Sequence, residues 1–261
     1  VTKLYQDQPL FASDPFDGPD RRIEIGRSIG HIWGYVVEGI YQTPQEVSDR
    51  ADVINDQIGD VNYTAPGDLY FKNLGGNPDS VYQFYSPIPD TLLNTYDQTE
   101  IGNNLPSFTY GINLTANWKG IDASVSFYGE AGAEDLNTYR RNLEYLGGNG
   151  GNRINTVLNR WTPENPNTDM PRAIAGDPAQ NNRLQSTRWL ESKDYFRLNN
   201  WQVGYTLPQA LLSKLNGAVS NARFYVGGRN NLLLTRWSGL DPVNDNRPLP
   251  RTFLVGFNVK F

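Results

Sequence analysis

From Thr252 to Phe261 the chain alternates strictly: Phe253, Val255, Phe257, Val259 and Phe261 hold one phase, Leu254, Gly256, Asn258 and Lys260 the other. Successive side chains point to opposite faces of a strand, so this segment predicts a strand with one apolar face and one mostly small or polar face. The signature recurs upstream. Phe108, Tyr110, Ile112, Leu114, Ala116 and Trp118 alternate with Thr109, Gly111, Asn113, Thr115 and Asn117. A Lys119-Gly120 turn follows, with Gly supplying a positive φ at no steric cost. Beyond it Ile121, Ala123, Val125 and Phe127 oppose Asp122, Ser124, Ser126 and Tyr128. Tyr195 to Thr206 carries Phe196 and Leu198 on one phase but Trp201, Val203 and Tyr205 on the other, a slip that predicts a bulge at Asn199-Asn200. Ala222 to Leu234 completes the set, with Phe224 and Val226 opposite Arg223 and Tyr225.

Strands of about 9–11 residues, apolar outside and polar inside, are the unit of a transmembrane β-barrel. The pattern therefore predicts an all-β chain contributing five wall strands to a large transmembrane antiparallel β-barrel. Five strands are too few to close a cylinder, for which about eight is the minimum. The chain starts at Val1 without an export signal, which predicts the carboxy-terminal part of a longer gene product. A soluble β-sandwich binding module is the competing reading. It requires the apolar strand faces to be buried against a second sheet.

Parity then fixes a topology. With the last strand ending in the periplasm, 119–120 and 207–221 are periplasmic turns, while 131–194 and 235–251 are extracellular loops. That gives the short inner turns and long outer loops of such barrels. Residues 1–107 read as one large extracellular segment with local hairpins, among them Arg22–Ile25 against Ile32–Ile40. Residues 108–261 hold the last five barrel strands.

Composition narrows the function. Net charge is 23 − 28 = −5 with no basic cluster, which argues against a nucleic-acid partner. The absence of Cys removes disulfide, thiolate and zinc-thiolate chemistry. Fifteen Tyr, six Trp and 25 Gly suit the aromatic girdles of a barrel. His31 is the single His, so any His-based triad or metal site would have to be built on it; a structural or solvent-facing role is expected. Neither Gly147–Gly151 nor Gly227-Gly228 is followed by the Lys-Ser/Thr of a phosphate loop. No catalytic residue, cofactor or metal site is predicted. One cluster on the long connection stands out: Arg160, Trp161, Arg172, Arg188 and Trp189. Trp and Arg dominate interface hot spots, so these residues are candidates for contact with substrate or a capping partner. The alternative is that they fold the loop upon itself. Trp118, Trp201, Tyr205 and Tyr225 read as girdle or lumen-lining residues.

The chain resembles the SusC/RagA-type TonB-dependent outer-membrane transporters of Bacteroidota. The resemblance rests on Gly30-His31-Ile32-Trp33-Gly34-Tyr35, Glu38-Gly39-Ile40-Tyr41, Pro66-Gly67-Asp68 and Tyr110-Gly111-Ile112-Asn113. It continues through Trp118-Lys119-Gly120-Ile121-Asp122, Arg160-Trp161-Thr162-Pro163-Glu164-Asn165-Pro166, Pro171-Arg172, Ser186-Thr187-Arg188-Trp189-Leu190 and Asp194-Tyr195-Phe196-Arg197-Leu198. Gly204-Tyr205-Thr206-Leu207-Pro208, Gly228-Arg229-Asn230-Asn231-Leu232 and Ser238-Gly239-Leu240-Asp241-Pro242 complete the series, in order, before the terminal strand. It implies a barrel of about 22 strands filled by an amino-terminal plug, a SusD-type surface lipoprotein as partner, and TonB acting on the plug to import glycan or peptide oligomers across the cell outer membrane. It also implies that the insertion machinery reads the end of the last strand, making Phe257, Val259 and Phe261 an assembly signal. A non-transporting barrel scaffold in a surface complex is the alternative within the family. Where the family often carries an Asp-rich calcium loop, this chain reads Asn73-Leu74-Gly75-Gly76-Asn77-Pro78, and no calcium is expected there.

Overall fold

A computed structural model describes residues 28–50, 54–55, 63–74, 92–93, 97–147, 151–178, 184–215, 218–244 and 247–261. The expected Arg22–Ile25 hairpin arm and residues 75–78 and 148–150 lie outside them. Strands follow in the order β1 (His31–Gly34), β2 (Val37–Ile40), β3 (Ile54–Asn55), β4 (Leu69–Phe71), β5 (Leu92–Leu93), β6 (Thr99–Asn103), β7 (Phe108–Trp118), β8 (Ile121–Ala131), β9 (Glu134–Leu136), β10 (Leu190–Ser192), β11 (Tyr195–Thr206), β12 (Asn221–Thr235) and β13 (Thr252–Lys260). Helices are short: α1 (Pro44–Asp49), α2 (Thr138–Glu144) and α3 (Gln209–Leu212). The chain divides into two compact units, Val1–Leu105 with Glu134–Glu191, and Pro106–Ala133 with Ser192–Phe261.

The second unit is a five-stranded sheet in the order β7-β8-β11-β12-β13, antiparallel throughout. Its register unites the five dyad patterns. Ile112 pairs with Phe127 and Leu114 with Val125; Val125 pairs with Trp201 and Ile121 with Tyr205. Tyr205 then pairs with Phe224, and Phe224 with Phe257. The expected bulge is present. Leu198 pairs with Phe127 and Asn200 with Ser126, so Asn199 is the extra residue, and the phases on either side of it come to share one face. β12 answers with Asn230 and Asn231, which fall between the Arg229↔Asn200 and Leu232↔Leu198 pairs.

One face of this sheet is thus apolar from edge to edge, and it is open. Phe108 is 61% exposed, Trp118 66%, Phe253 73% and Phe257 75%. The soluble-sandwich reading required a second sheet over these residues. Among the described residues none covers them, and the expectation fails on that observation. Phe108, Tyr110, Phe196 and Phe127 form a stacked aromatic ladder across three strands, with centroid separations of 5.5, 6.3 and 4.9 Å. Such pairs contribute about 0.5–1.5 kcal/mol each beyond their area burial, and here they line an outward surface with rings.

The opposite face carries Thr109, Asn113, Thr115, Ser124, Ser126, Gln202 and Asn258, together with one charged staple. Arg223 on β12 reaches over β11 to Asp122 on β8, its Nε 2.9 Å from Oδ1. It can cross because Gly204 lies beneath: a Cβ there would stand 2.4 Å from Nη2 and 2.7 Å from Cζ. The Arg223 guanidinium also lies 5.1 Å from the Tyr225 ring centroid, and Tyr225 covers Gly256 on β13. Four strands are tied on the polar side by one side-chain chain. Gly204→Val should displace Arg223 and weaken the assembled sheet by about 1–3 kcal/mol; thermal unfolding of the full-length protein would check this, and an unchanged midpoint would refute the clearance role. Beyond β12 the connection turns back onto β11. Arg197 Nη2 lies 2.8 Å from both carboxylate oxygens of Asp241, and both residues are buried.

In the first unit β1 pairs with β6, β2 with β4 and β9 with β10, and the two-residue β3 and β5 run parallel. Tyr35, Ile40, Leu69, Phe71, Leu93 and Leu184 make one core, with Val37 and Trp161 against it. Ile32, Leu136 and Trp189 make a second, flanked by Ile101 and Leu190. The connection expected as irregular loop carries α2, capped by the Asn137 side chain accepting from Arg140 N at 2.8 Å, and a 3-10 turn over Asn155–Asn159. Burial pushes the Tyr35 phenol up to about 12, against a side-chain hydrogen bond with Gln98 that lowers it. The folded state therefore favours the neutral phenol. That stabilisation is complete below the ordinary phenol value of about 10 and is lost as pH rises from there through about 12. A phenolate absorbance titration should show late-titrating tyrosines, of which Tyr35→Phe removes one.

Candidate functional site

Four of the five Arg and Trp positions of the long connection fall into two groups within the first unit. The first is organised by Pro66-Gly67-Asp68. Asp68 is fully buried, and Arg172 grips it through Nε to Oδ1 at 2.5 Å and Nη2 to Oδ2 at 2.8 Å. The fork matches the carboxylate geometrically, which a lysine could not do. Arg172 Nη2 also donates to Tyr63 O at 3.1 Å, and its backbone N to Gly67 O at 2.8 Å. Gly67 has a φ of +94°, and a Cβ on it would stand 2.5 Å from Trp161 Cε3 and 2.8 Å from Arg172 Cβ. Only glycine satisfies both the left-handed backbone and that clearance. Trp161 is half-buried over this turn and donates from Nε1 to Gln42 Oε1 at 2.9 Å.

Trp189 centres the second group. Its indole is fully buried, with the Arg188 guanidinium 5.0 Å and the Arg140 guanidinium 5.6 Å from the ring. Two acids balance two cations: Arg140 reaches Glu144 at 3.2 Å and Glu191 at 3.0 Å, and Arg188 reaches Glu144 at 3.4 Å. Asn137 Nδ2 donates to Glu191 at 3.0 Å and Thr156 Oγ1 to Glu144 at 3.2 Å. Arg188 Nη1 also donates to Asp169 O. Burial pulls the Arg188 guanidinium below its ordinary value, against the attraction of Glu144. For Arg140 burial acts in the same downward direction, but Glu144 and Glu191 outweigh it and raise the value. Both remain charged, since arginine does not lose its proton in proteins.

Trp189 and Arg188 therefore organise the interior, and Arg172 joins two turns. Arg160 differs: it is half-exposed, closes the 3-10 turn, and its guanidinium has no ion pair among the described residues. Beside it the side chain of Asn165 braces the Arg160-to-Asn165 turn, donating to Asn159 O and Arg160 O at 3.2 Å. Leu158 projects next to it, 75% exposed. On this segment Leu158 is exposed to solvent, and Arg160 and the outer edge of Trp161 partly so.

His31 is fully buried, its Nδ1 2.7 Å from Ser28 O and its ring edge-on to Trp33 at 5.8 Å. The structural alternative describes it; the solvent-facing one does not. No acid or nucleophile is hydrogen-bonded to it among the described residues. Nor do those residues contain a group of His, Asp and Glu placed to hold a metal ion. No helix among them is long and apolar enough to cross a membrane, which says nothing about strands. Sequence reasoning held Asp68 and Asp241 only as members of motifs and missed Arg140, Glu144 and Glu191. The i,i+4 spacing of Arg140 and Glu144 was the one local signal available.

The comparisons bear on what this sheet belongs to. No family model matches the chain. It is 31% identical over 283 aligned positions to TonB-dependent receptor P3 of Formosa agariphila, covering 100% of this chain and 25% of that protein. It is 30% identical to TonB-dependent receptor P26 of the same organism, covering 92% of this chain and 23% of that protein. The chain thus spans about a quarter of the length of the curated relatives it matches. Among solved structures, the RagAB peptide transporter aligns with 93% of this chain and 24% of its own, at 24% identity and a TM-score of 0.68. The RagAB peptide importer in its closed-closed state aligns with 100% of this chain and 26% of its own, at 24% identity and a TM-score of 0.70. The fold is shared, and the two-faced sheet is a sector of a large antiparallel barrel wall. Over its whole length this chain is similar to TonB-dependent receptors, and it shares its fold with the RagAB peptide transporter.

Proposed function

We propose that this chain is part of an outer-membrane importer of oligomeric nutrients. It works with a SusD-type surface lipoprotein and is energised by TonB acting on the plug of the whole transporter. The observation that carries the reading is the five-stranded sheet, apolar on one face and amide- and hydroxyl-lined on the other. A soluble protein gains nothing by exposing such a face, whereas a barrel sets it in hydrocarbon and turns the polar face to a wet lumen. The solved relatives are peptide importers, which supports peptides as the first substrate class to test, with oligosaccharides second. In this arrangement residues 1–107, 131–194 and 235–251 lie outside the cell, 119–120 and 207–221 in the periplasm. Arg160 and the exposed edge of Trp161 face partner or substrate, and Phe257, Val259 and Phe261 serve assembly. Phe261→Ala should lower the amount of membrane-inserted protein while leaving uptake per inserted molecule unchanged.

The deciding experiment deletes the full-length gene and restores it on a plasmid. Uptake of labelled peptides and oligosaccharides is then followed, with co-purification of the neighbouring surface lipoprotein. Restored uptake of one class supports the proposal. Normal surface assembly with no solute uptake would replace it with the scaffold reading.

A further inference from the structure

The hairpin joining β7 to β8 is built against local preference. Lys119 has a φ of 47° and Gly120 of 85°, the left-handed pair of a type I′ turn, whose first position suits Asn, Asp or Gly. A lysine there accepts backbone strain that a smaller polar residue would avoid. Its ammonium is 4.9 Å from the ring centroid of Trp118, within cation–π range. Trp118 shares the apolar face with Ile121, Tyr205 and Phe224, its neighbours through the register at this end of the sheet. Charge at the same end is one-sided. Residues 112–126, 200–226 and 254–261 contain Lys119, Lys214, Arg223 and Lys260 against Asp122 alone, 4 − 1 = +3. That single acid is held by Arg223.

The face that meets hydrocarbon therefore ends at Trp118 with the Lys119 ammonium over its ring, while Asp122, the one side-chain carboxylate of this end, lies on the opposite face and is already held by Arg223. Rings settle at the depth of lipid headgroups, and lysines near that depth are attracted to anionic lipid. We propose that Trp118 and Lys119, with Tyr205 beside them, form a docking site for the phosphodiester headgroup of an anionic phospholipid in the inner leaflet. The inference rests on the barrel orientation given under Proposed function. The indole supports the aliphatic stem and fixes the ammonium, and the headgroup phosphate accepts from it.

The test uses the full-length transporter in detergent, with phosphatidylglycerol, phosphatidylcholine and inorganic phosphate as probes and native mass spectrometry as the readout. Wild type should retain phosphatidylglycerol in preference to phosphatidylcholine. Lys119→Gln should lose about fivefold of that preference, and Lys119→Arg should restore it. Inorganic phosphate should not displace the lipid. Equal retention by wild type and Lys119→Gln, or displacement by inorganic phosphate, would overturn the site. A second measurement separates this from orientation: Lys119→Cys is treated with a membrane-impermeant maleimide on intact cells. Labelling from outside would overturn the orientation and the inner-leaflet site together, whereas protection without lipid preference would overturn the site alone.

Discussion

Arg172→Ala is expected to destabilise the first unit by about 3–5 kcal/mol, the cost of leaving a buried charge without its partner. An exposed ion pair would contribute only about 0–1 kcal/mol. Burial decides between these figures: the Asp68 side chain is 0% exposed and that of Arg172 22%. The variant leaves a dry carboxylate still accepting from Ala65 N, with both guanidinium bonds gone. It also opens the seam where Pro171-Arg172 meets Pro66-Gly67-Asp68, and so loosens Trp161 over Gly67. Exchanging both charges, as Asp68→Asn with Arg172→Leu, should recover a large part of the loss, since the penalty comes from a buried carboxylate that has lost its guanidinium. Thermal unfolding and limited proteolysis of the full-length protein would measure both variants. A loss below about 1 kcal/mol for Arg172→Ala would mean that water reaches Asp68 in solution.

The wall strands were legible because a barrel strand writes its environment into every second residue. Phe253 to Phe261 needs no partner to be recognised. The Asn199 bulge was legible for the same reason, as a phase slip between Leu198 and Trp201. Its counterpart, Asn230-Asn231, was not, because one skipped pair in a register leaves no slip that a single strand reveals. The first unit was nearly opaque. Its decisive contacts join Asp68 to Arg172 across 104 residues and Asn137 to Glu191 across 54, and no local period encodes such pairs. For the same reason the Arg and Trp cluster could be found by composition but not divided. Only burial separates Trp189, wholly interior, from Arg160, which keeps its guanidinium unpaired among the described residues.

Leu114→Arg, at the middle of β7, should impair the assembled barrel by about 2–4 kcal/mol, while Thr115→Arg, one residue along, should change little. Both residues are exposed in this chain, so a purely aqueous view predicts that each substitution falls within about 0.5 kcal/mol. The asymmetry arises only if the Leu114 face meets hydrocarbon, where a guanidinium has no water, and the Thr115 face meets the lumen, where it has. Val255, paired with Val226, should behave like Leu114. Ser124, paired with Thr115, should behave like Thr115. Heat-modifiable gel mobility of the full-length protein, extracted from membranes, reports the folded fraction of each variant. Equal tolerance at Leu114 and Thr115 would contradict the lipid-facing assignment of the whole sheet, because the register ties every strand to the same two faces.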